Sequence, residues 1–201
     1  MRRPPFACPC CCGATGGLGR REAVRAGLAG LLGAAALGGS RRPALAQAAA
    51  GDGGAPRRLS IQRVQTGETF DGVYWSEGRY DRDALHRLDW VFRDPSMEEA
   101  TPMDPRLFDV LYAVARRLDA TQAFQVVSGY RAPETNAARA RASRRVSRVS
   151  LHMSGMAADV RLPGRDSTGV ARLAAEMQVG GVGLYRRDGF VHLDCGPARR
   201  W

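Results

Sequence analysis

The sequence predicts an α+β domain in which a small antiparallel sheet is flanked by helices. Segments with apolar residues at helical spacing alternate along the chain with short segments of β-type alternation. Residues 182–185 and 190–195 are joined by Arg186-Arg187-Asp188-Gly189, where the Asp-Gly pair favours a hairpin turn. The 201 residues are 44% hydrophobic and 25% charged, which is typical of one globular domain with an appendage.

Residues 1–48 are predicted to form an export signal and not a part of the fold. The pair Arg20-Arg21 precedes a weakly apolar stretch over residues 26–39, and Ala46-Gln47-Ala48 matches the signal-peptidase pattern. Cleavage after Ala48 and twin-arginine export to the periplasm are therefore expected. The alternatives are a generic secretory signal and an uncleaved inner-membrane anchor. No run of about 18 apolar residues occurs, which excludes a multi-span membrane protein.

A flexible Gly/Ala-rich linker at residues 49–58 is predicted to precede a single domain at residues 59–201. Asp104 and Pro105 are typical of an N-cap and a first helical position, so a helix is expected to begin there. The remaining predicted helices cover residues 81–92, 133–142 and 168–178, and the strands cover 59–75, 123–127, 157–162, 182–185 and 190–195.

Charge and cysteine content narrow the possible functions. The net charge is +10, but residues 1–48 hold 7 of the 30 arginines and only one of the 20 acidic residues, so the domain itself is mildly basic. Nucleic-acid binding is not expected, because no aromatic residues are interleaved with the one basic run. That run is Arg139, Arg141, Arg144, Arg145 and Arg148, and it is interpreted as a solvated face or loop. After the export signal only Cys195 remains, which excludes an internal disulfide.

Three residues in the second half of the domain form a candidate metal site. His152 lies in a loop containing Ser and Gly, and Asp159 follows on a strand whose alternation separates it from the apolar face. His192 lies on the final strand, also opposite its apolar residues. Two imidazoles and a carboxylate with an open fourth position are typical of catalytic zinc. The alternatives are structural histidines and an ion pair between Asp159 and Arg161.

Four motifs carry a resemblance to a known family: Ser128-Gly129-Tyr130-Arg131, residues 150–164 from Ser150-Leu151-His152 through Asp159 to Gly164, Gly180-Gly181-Val182-Gly183, and Phe190-Val191-His192-Leu193-Asp194. Together they resemble the D-Ala-D-Ala carboxypeptidase and murein endopeptidase family of zinc metallopeptidases. The similarity is greatest to its exported Gram-negative murein endopeptidases and covers residues 59–201. It implies a hedgehog/D-Ala-D-Ala-peptidase-like fold with one zinc ion per chain, held by His152, Asp159 and His192.

The resemblance also implies roles for the first motif. Arg131 would bind substrate or stabilise the oxyanion, since a guanidinium presents a fixed fork to a carboxylate or developing oxyanion. Ser128 and Tyr130 are candidate substrate-binding residues. The alternatives are a structural salt bridge for Arg131, loop shaping for Ser128 and core packing for Tyr130.

The general base departs from the family pattern. Relatives carry a Glu three residues before the last zinc histidine or a His two residues before it, and here those positions are Gly189 and Phe190. Asp194 lies on the same face of the strand as His192 and is the available replacement. Orienting His192 from behind is the alternative role for Asp194.

The resemblance thus implies an exported zinc-dependent murein endopeptidase that hydrolyses peptide cross-links of peptidoglycan. Its expected partners are peptidoglycan stem peptides, with no nucleic acid, and with the membrane involved only through the export signal. The arginine run would then contact the anionic cell wall. Two alternatives remain open: a non-catalytic zinc-containing cell-wall binding protein, and a D,D- or L,D-carboxypeptidase that trims stem peptides.

Overall fold

The computed structural model describes residues 54–144 and 146–201; the predicted export signal and the first part of the linker lie outside them. The described strands are β1 (Arg57–Arg63), β2 (Thr69–Ser76), β3 (Arg79–Tyr80), β4 (Phe124–Ser128), β5 (Ala157–Arg161), β6 (Gly181–Tyr185), β7 (Phe190–Asp194) and β8 (Arg199–Arg200). The described helices are α1 (Arg82–Phe92), α2 (Pro105–Arg117), α3 (Pro133–Ala142) and α4 (Ser167–Met177), with a 3-10 turn at Leu151–Ser154.

The α+β class is confirmed, but the sheet is neither small nor purely antiparallel. Eight strands form one sheet in the order β3-β2-β1-β4-β5-β7-β6-β8. Two pairs are parallel, β1 with β4 and β6 with β8. The sequence pattern missed β3 and β8 because they have only two residues each, too few for a periodic signal. The parallel pairing of β1 with β4 was missed because alternation along a strand does not show which strand lies beside it.

The first strand begins two residues before the expected domain boundary. Arg57 is buried, and its Nη1 donates to Asp109 Oδ1 at 2.7 Å. The guanidinium of Arg57 also lies 4.1 Å from the ring centroid of Trp75. These contacts extend β1 into the segment predicted to be linker.

The predicted helix starts are confirmed by their caps. Asp81 accepts from the backbone N–H of Ala84, and Asp104 accepts from that of Arg106, with a proline at the start of α2. Helix α4 begins after Asp166 in the same way. Each carboxylate satisfies a backbone donor that the first turn of a helix leaves unpaired.

The core lies between the sheet and three helices. Helices α1, α2 and α4 pack against the strands, and the buried cluster includes Leu107 and Leu111 of α2 and Val160 and Leu193 of the sheet. Because side chains alternate along a strand, the residues next to Val160 and Leu193 point to the other face of the sheet. The candidate metal ligands lie on that face. Among the described residues, no helix is long and apolar enough to cross a membrane.

Candidate metal centre

Two of the predicted ligands face each other across neighbouring strands. Asp159 of β5 and His192 of β7 are paired in the antiparallel register, and both side chains leave the same face. Asp159 Oδ1 lies 3.0 Å from His192 Nδ1. The direct pairing explains why a strand aspartate and a strand histidine separated by 33 positions share one site.

The third ligand is brought to the sheet by the 3-10 turn. The turn ends at Gly155, whose φ of +66° is left-handed. A Cβ at Gly155 would lie 2.9 Å from the carbonyl oxygen of Pro102, so glycine allows the turn to approach the start of α2. The His152 carbonyl oxygen accepts from Arg131 N, and His152 Nδ1 lies 2.7 Å from the Gly129 carbonyl oxygen.

The three ligand atoms converge as a metal site requires. His152 Nε2 is 3.2 Å from His192 Nδ1 and 3.3 Å from Asp159 Oδ1, and a ligand atom of each residue lies within 4.8 Å of the others. The Gly129 carbonyl can only accept, so Nδ1 of His152 carries a proton and its Nε2 presents a lone pair. Two imidazoles and one carboxylate therefore fit a zinc ion with an open position.

Each ligand has a pKa set by its buried surroundings. Burial lowers the pKa of His152 more than Asp159 raises it. For His192 burial acts in the same direction, but the hydrogen bonds to Asp159 and Asp194 raise its pKa overall. Burial alone would raise the pKa of Asp159, yet the two histidines hold it below its ordinary value. Asp159 is thus ionised and suited to bind a cation.

Asp194 lies behind His192 and not beside the converging ligand atoms. Its Oδ2 is 3.2 Å from His192 Nε2, the nitrogen opposite the one that faces Asp159. The same carboxylate accepts from the backbone N–H groups of Gly181 and Gly196 and from both terminal nitrogens of Arg199. The hydrogen bond with His192, together with these donors, outweighs burial and lowers the pKa of Asp194 to about 2. This geometry favours the orienting role over proton transfer.

Arg131 lies beside the candidate metal ligand Asp159 and is held there by hydrogen bonds. Its Nη2 lies 3.7 Å from Asp159 Oδ2 and donates to Ser128 Oγ at 3.3 Å, while Nη1 donates to Asn136 Oδ1 at 3.2 Å. Burial lowers its pKa, and Arg139 acts in the same direction. Its buried Nε has no hydrogen-bond partner among the described residues. The guanidinium therefore keeps donor capacity beside the site.

A cavity of about 340 Å³ opens over these residues. Its basic lining residues are Arg131, Arg139 and Arg199, its aromatic ones are Tyr185, Phe190 and Trp201, and the three metal ligands also line it. Of the predicted arginine run, Arg139 reaches this cavity from α3. Basic and aromatic groups around a metal site suit an anionic ligand that also has apolar parts.

Two predicted substrate-binding residues have structural contacts. Tyr130 is buried in the core, and its hydroxyl donates to Glu99 at 2.9 Å, which favours the alternative of core packing over substrate contact. Ser128 is buried as well and accepts from Arg131, so it supports the guanidinium instead of facing a ligand. Cys195 is buried in the core, on the face of the strand opposite His192 and Asp194.

Sequence reasoning did not identify Arg199 and Trp201 as residues of the site, although two glycines in β6 indicated that other groups approach this strand closely. Gly181 and Gly183 alternate on β6, and glycine within a strand often marks close approach of another group. A Cβ at Gly181 would lie 2.3 Å from Asp194 Oδ2, and one at Gly183 would lie 2.7 Å from the Trp201 ring. The two glycines thus make room for the carboxylate and the indole.

Comparison with known proteins identifies the family of the chain. The family model described as peptidoglycan L,D-endopeptidase MepK matches residues 52–201. Peptidoglycan L,D-endopeptidase MepK of Escherichia coli K12 is 36% identical over 146 residues, covering 73% of this chain and 80% of the relative. The protein of the same name from Shigella flexneri has the same identity and coverage. No solved structure matches the chain.

The matched region contains all four motifs that carried the resemblance and every described strand and helix. The match covers most of the chain, and both of these relatives exceed 30% identity. The chain therefore belongs to the peptidoglycan L,D-endopeptidase MepK family of peptidases, which are hydrolases.

Proposed function

We propose that the chain is a zinc-dependent endopeptidase that hydrolyses peptide cross-links of peptidoglycan. The observation that carries the proposal is the convergence of His152, Asp159 and His192 at the base of a basic cavity. Membership of the MepK family supports the substrate class. The relatives are named L,D-endopeptidases, and we extend that bond preference to this chain.

One zinc ion per chain would be held by His152 Nε2, His192 Nδ1 and a carboxylate oxygen of Asp159. Such an ion polarises a scissile carbonyl and lowers the pKa of a bound water towards neutrality. The support lies in the donor set: His152 and His192 each have their other ring nitrogen beside an oxygen acceptor, which leaves the facing nitrogens as lone-pair donors.

Arg131 is proposed to bind the substrate carbonyl region and to stabilise developing negative charge. Arg131 lines the cavity, and its guanidinium is anchored by Ser128 and Asn136. Arg139, on the cavity wall, is proposed to bind a free carboxylate of a stem peptide. Both roles use the strength of charge-assisted hydrogen bonds in a partly enclosed site.

Asp194 is proposed to orient His192 and to fix its tautomer. It accepts four hydrogen bonds from Gly181, Gly196 and Arg199, so little capacity remains for taking a proton from substrate or water. A carboxylate placed behind a metal-binding histidine strengthens that ligand and holds its ring.

A periplasmic site of action is part of the proposal. It rests on the sequence of residues 1–48, which lie outside the described residues, and on the location of peptidoglycan. The proposed export route is the twin-arginine route, which transports folded proteins.

The test is hydrolysis of purified cross-linked muropeptides, read by mass spectrometry, with the protein as isolated, after chelation and after zinc repletion. We expect dimers to be converted to monomers, the conversion to stop on chelation and to return with zinc. The product masses identify the bond. Intact dimers beside zinc-loaded protein would contradict the proposal and favour a cell-wall binding protein.

A further inference from the structure

The indole of Trp201 is fixed against the metal centre by its own backbone. The Trp201 N–H donates to the Val182 carbonyl, and the Leu184 N–H donates to the Trp201 carbonyl, so the residue extends the pairing of β8 with β6. Its ring centroid lies 5.2 Å from that of His192 at an angle of 51°. The guanidinium of Arg199 lies 5.1 Å from the same indole.

Gly183 is the residue that permits this placement. It pairs with His192 in the β6–β7 ladder, and a Cβ there would lie 2.7 Å from Cε2 and 2.8 Å from Nε1 of the Trp201 indole. Side-chain carbon atoms do not approach so closely without displacement. An alanine at position 183 therefore moves the indole away from His192 without removing it.

Trp201 remains 54% exposed although it lines the cavity. Because about half of the indole surface is open, an apolar face is available to a ligand in the cavity. Val149 lies on the same cavity wall and is 89% exposed. The arginines of the cavity suit carboxylates, and these two residues suit the aliphatic part of a stem peptide.

We propose that Trp201 is a substrate-contact residue whose indole packs against the aliphatic portion of the stem peptide next to the metal ligands. This inference rests on the proposed function for the identity of the ligand. In this proposal, Gly183 sets the position of the indole. The proposal also assigns to β8 a part in the substrate site, besides the anchoring of Asp194 by Arg199.

The test combines Trp201→Ala, Gly183→Ala and the double variant, with Trp90→Ala as the matched control. Trp90 is 48% exposed on α1 and does not line the cavity, so W90A removes a comparable indole elsewhere. We expect W201A to raise KM about tenfold, the factor for loss of one apolar side-chain contact, with kcat and bound zinc unchanged. G183A raises KM in the same direction and has no further effect in the W201A background.

A second readout does not depend on catalysis. Un-cross-linked muropeptides are titrated calorimetrically into the zinc-loaded protein, and W201A and G183A are expected to weaken binding while W90A does not. If the wild type binds muropeptides without hydrolysing dimers, the proposed activity fails but the contact role stands. Three results would overturn the inference. The first is an unchanged KM and an unchanged affinity in W201A, and the second is a loss of zinc in W201A. The third is that the effects of the two substitutions multiply in the double variant.

Discussion

Asp194 is the residue whose role the structure changes most. From the sequence it is equally a replacement base or a support for His192, because both roles need only a position on the same strand face. The structure surrounds the carboxylate with Gly181, Gly196 and Arg199 and leaves it fully buried. Gly181 belongs to β6, Arg199 to β8 and Gly196 to the segment between β7 and β8, and strand alternation contains no information about these donors.

Asp194→Asn tests the orienting role. The substitution places an amide N–H₂ or a neutral oxygen against His192 and Arg199, so we expect zinc affinity to fall about 10–100-fold. Zinc affinity is measured by competition with a chromogenic chelator, and hydrolysis is followed as zinc is added in excess. Asp188→Asn is the control, because Asp188 is exposed in the β6–β7 turn. Full zinc occupancy with abolished hydrolysis would instead identify Asp194 as the base.

Arg131→Lys tests whether the guanidinium fork acts in the reaction. A lysine cannot reproduce two directed donors, so we expect kcat/KM to fall about 10²–10³-fold with zinc content unchanged. Steady-state hydrolysis of cross-linked muropeptides provides the measurement, and Arg161→Lys on exposed β5 surface is the control. Unchanged kcat/KM in R131K would restrict Arg131 to its structural contacts with Ser128 and Asn136.

At the level of elements, Asp94 connects α1 to the segment that precedes α3. It is buried after the end of α1, and its Oδ2 accepts from the Ala132 N–H while Oδ1 accepts from the Ser96 N–H. The neighbouring Tyr130 N–H donates to the Phe92 carbonyl at 2.7 Å. Together these bonds hold the residues that place Arg131 and the Gly129 carbonyl beside His152.

Asp94→Asn is expected to destabilise the fold in a pH-dependent way. Burial raises the pKa of Asp94, but hydrogen bonds from Thr135, Ala132 and Ser96 outweigh it and lower the pKa below its ordinary value. Its contribution is therefore present above the unfolded pKa of about 3.9 and is lost as pH falls through the folded pKa. At pH 7 we expect D94N to lower the free energy of unfolding by about 1–3 kcal/mol.

The measurement is urea unfolding at pH 7 and at pH 3, with exposed Asp119→Asn as the control. The difference between wild type and D94N should shrink at the lower pH, because pH 3 lies below the unfolded pKa of about 3.9 and the unfolded wild-type chain then binds a proton that the folded state disfavours. An equal difference at both values would show that packing, and not charge, accounts for the loss.

Most elements are predictable because their signals are local. The caps Asp81, Asp104 and Asp166 and the Asp-Gly turn act within a few residues, and the structure has a helix or hairpin at each. Strand order, in contrast, depends on contacts between residues that are distant in the sequence. The parallel pairing of β8 with β6 depends on a contact between residues 181 and 199, and β8, with two residues, is too short to have a periodic pattern of its own.

At the scale of the whole molecule, the two faces of one sheet differ: one packs against the apolar core, and the other carries the candidate metal ligands. Helices α1, α2 and α4 cover one face with the apolar core, and the other face of β5 and β7 presents Asp159, His192 and Asp194. Parity along two strands predicted that Asp159 and His192 leave the same face, and the structure confirms this. His152 comes from the 3-10 turn, which strand parity does not describe. The cavity wall was not predictable from the sequence, because Trp201, Arg199 and Arg139 reach it from segments distant in the chain.

The most direct test of the metal centre is the zinc content of the purified protein after equilibration with zinc and desalting. We expect about one ion per chain in the wild type and almost none in His152→Ala, because three protein ligands hold catalytic zinc and two do not suffice. Asp188→Asn should retain the wild-type value, and unfolding curves should show that each variant is folded. A wild-type chain without zinc, or full occupancy in His152→Ala, would contradict the assignment of His152, Asp159 and His192 as the metal ligands.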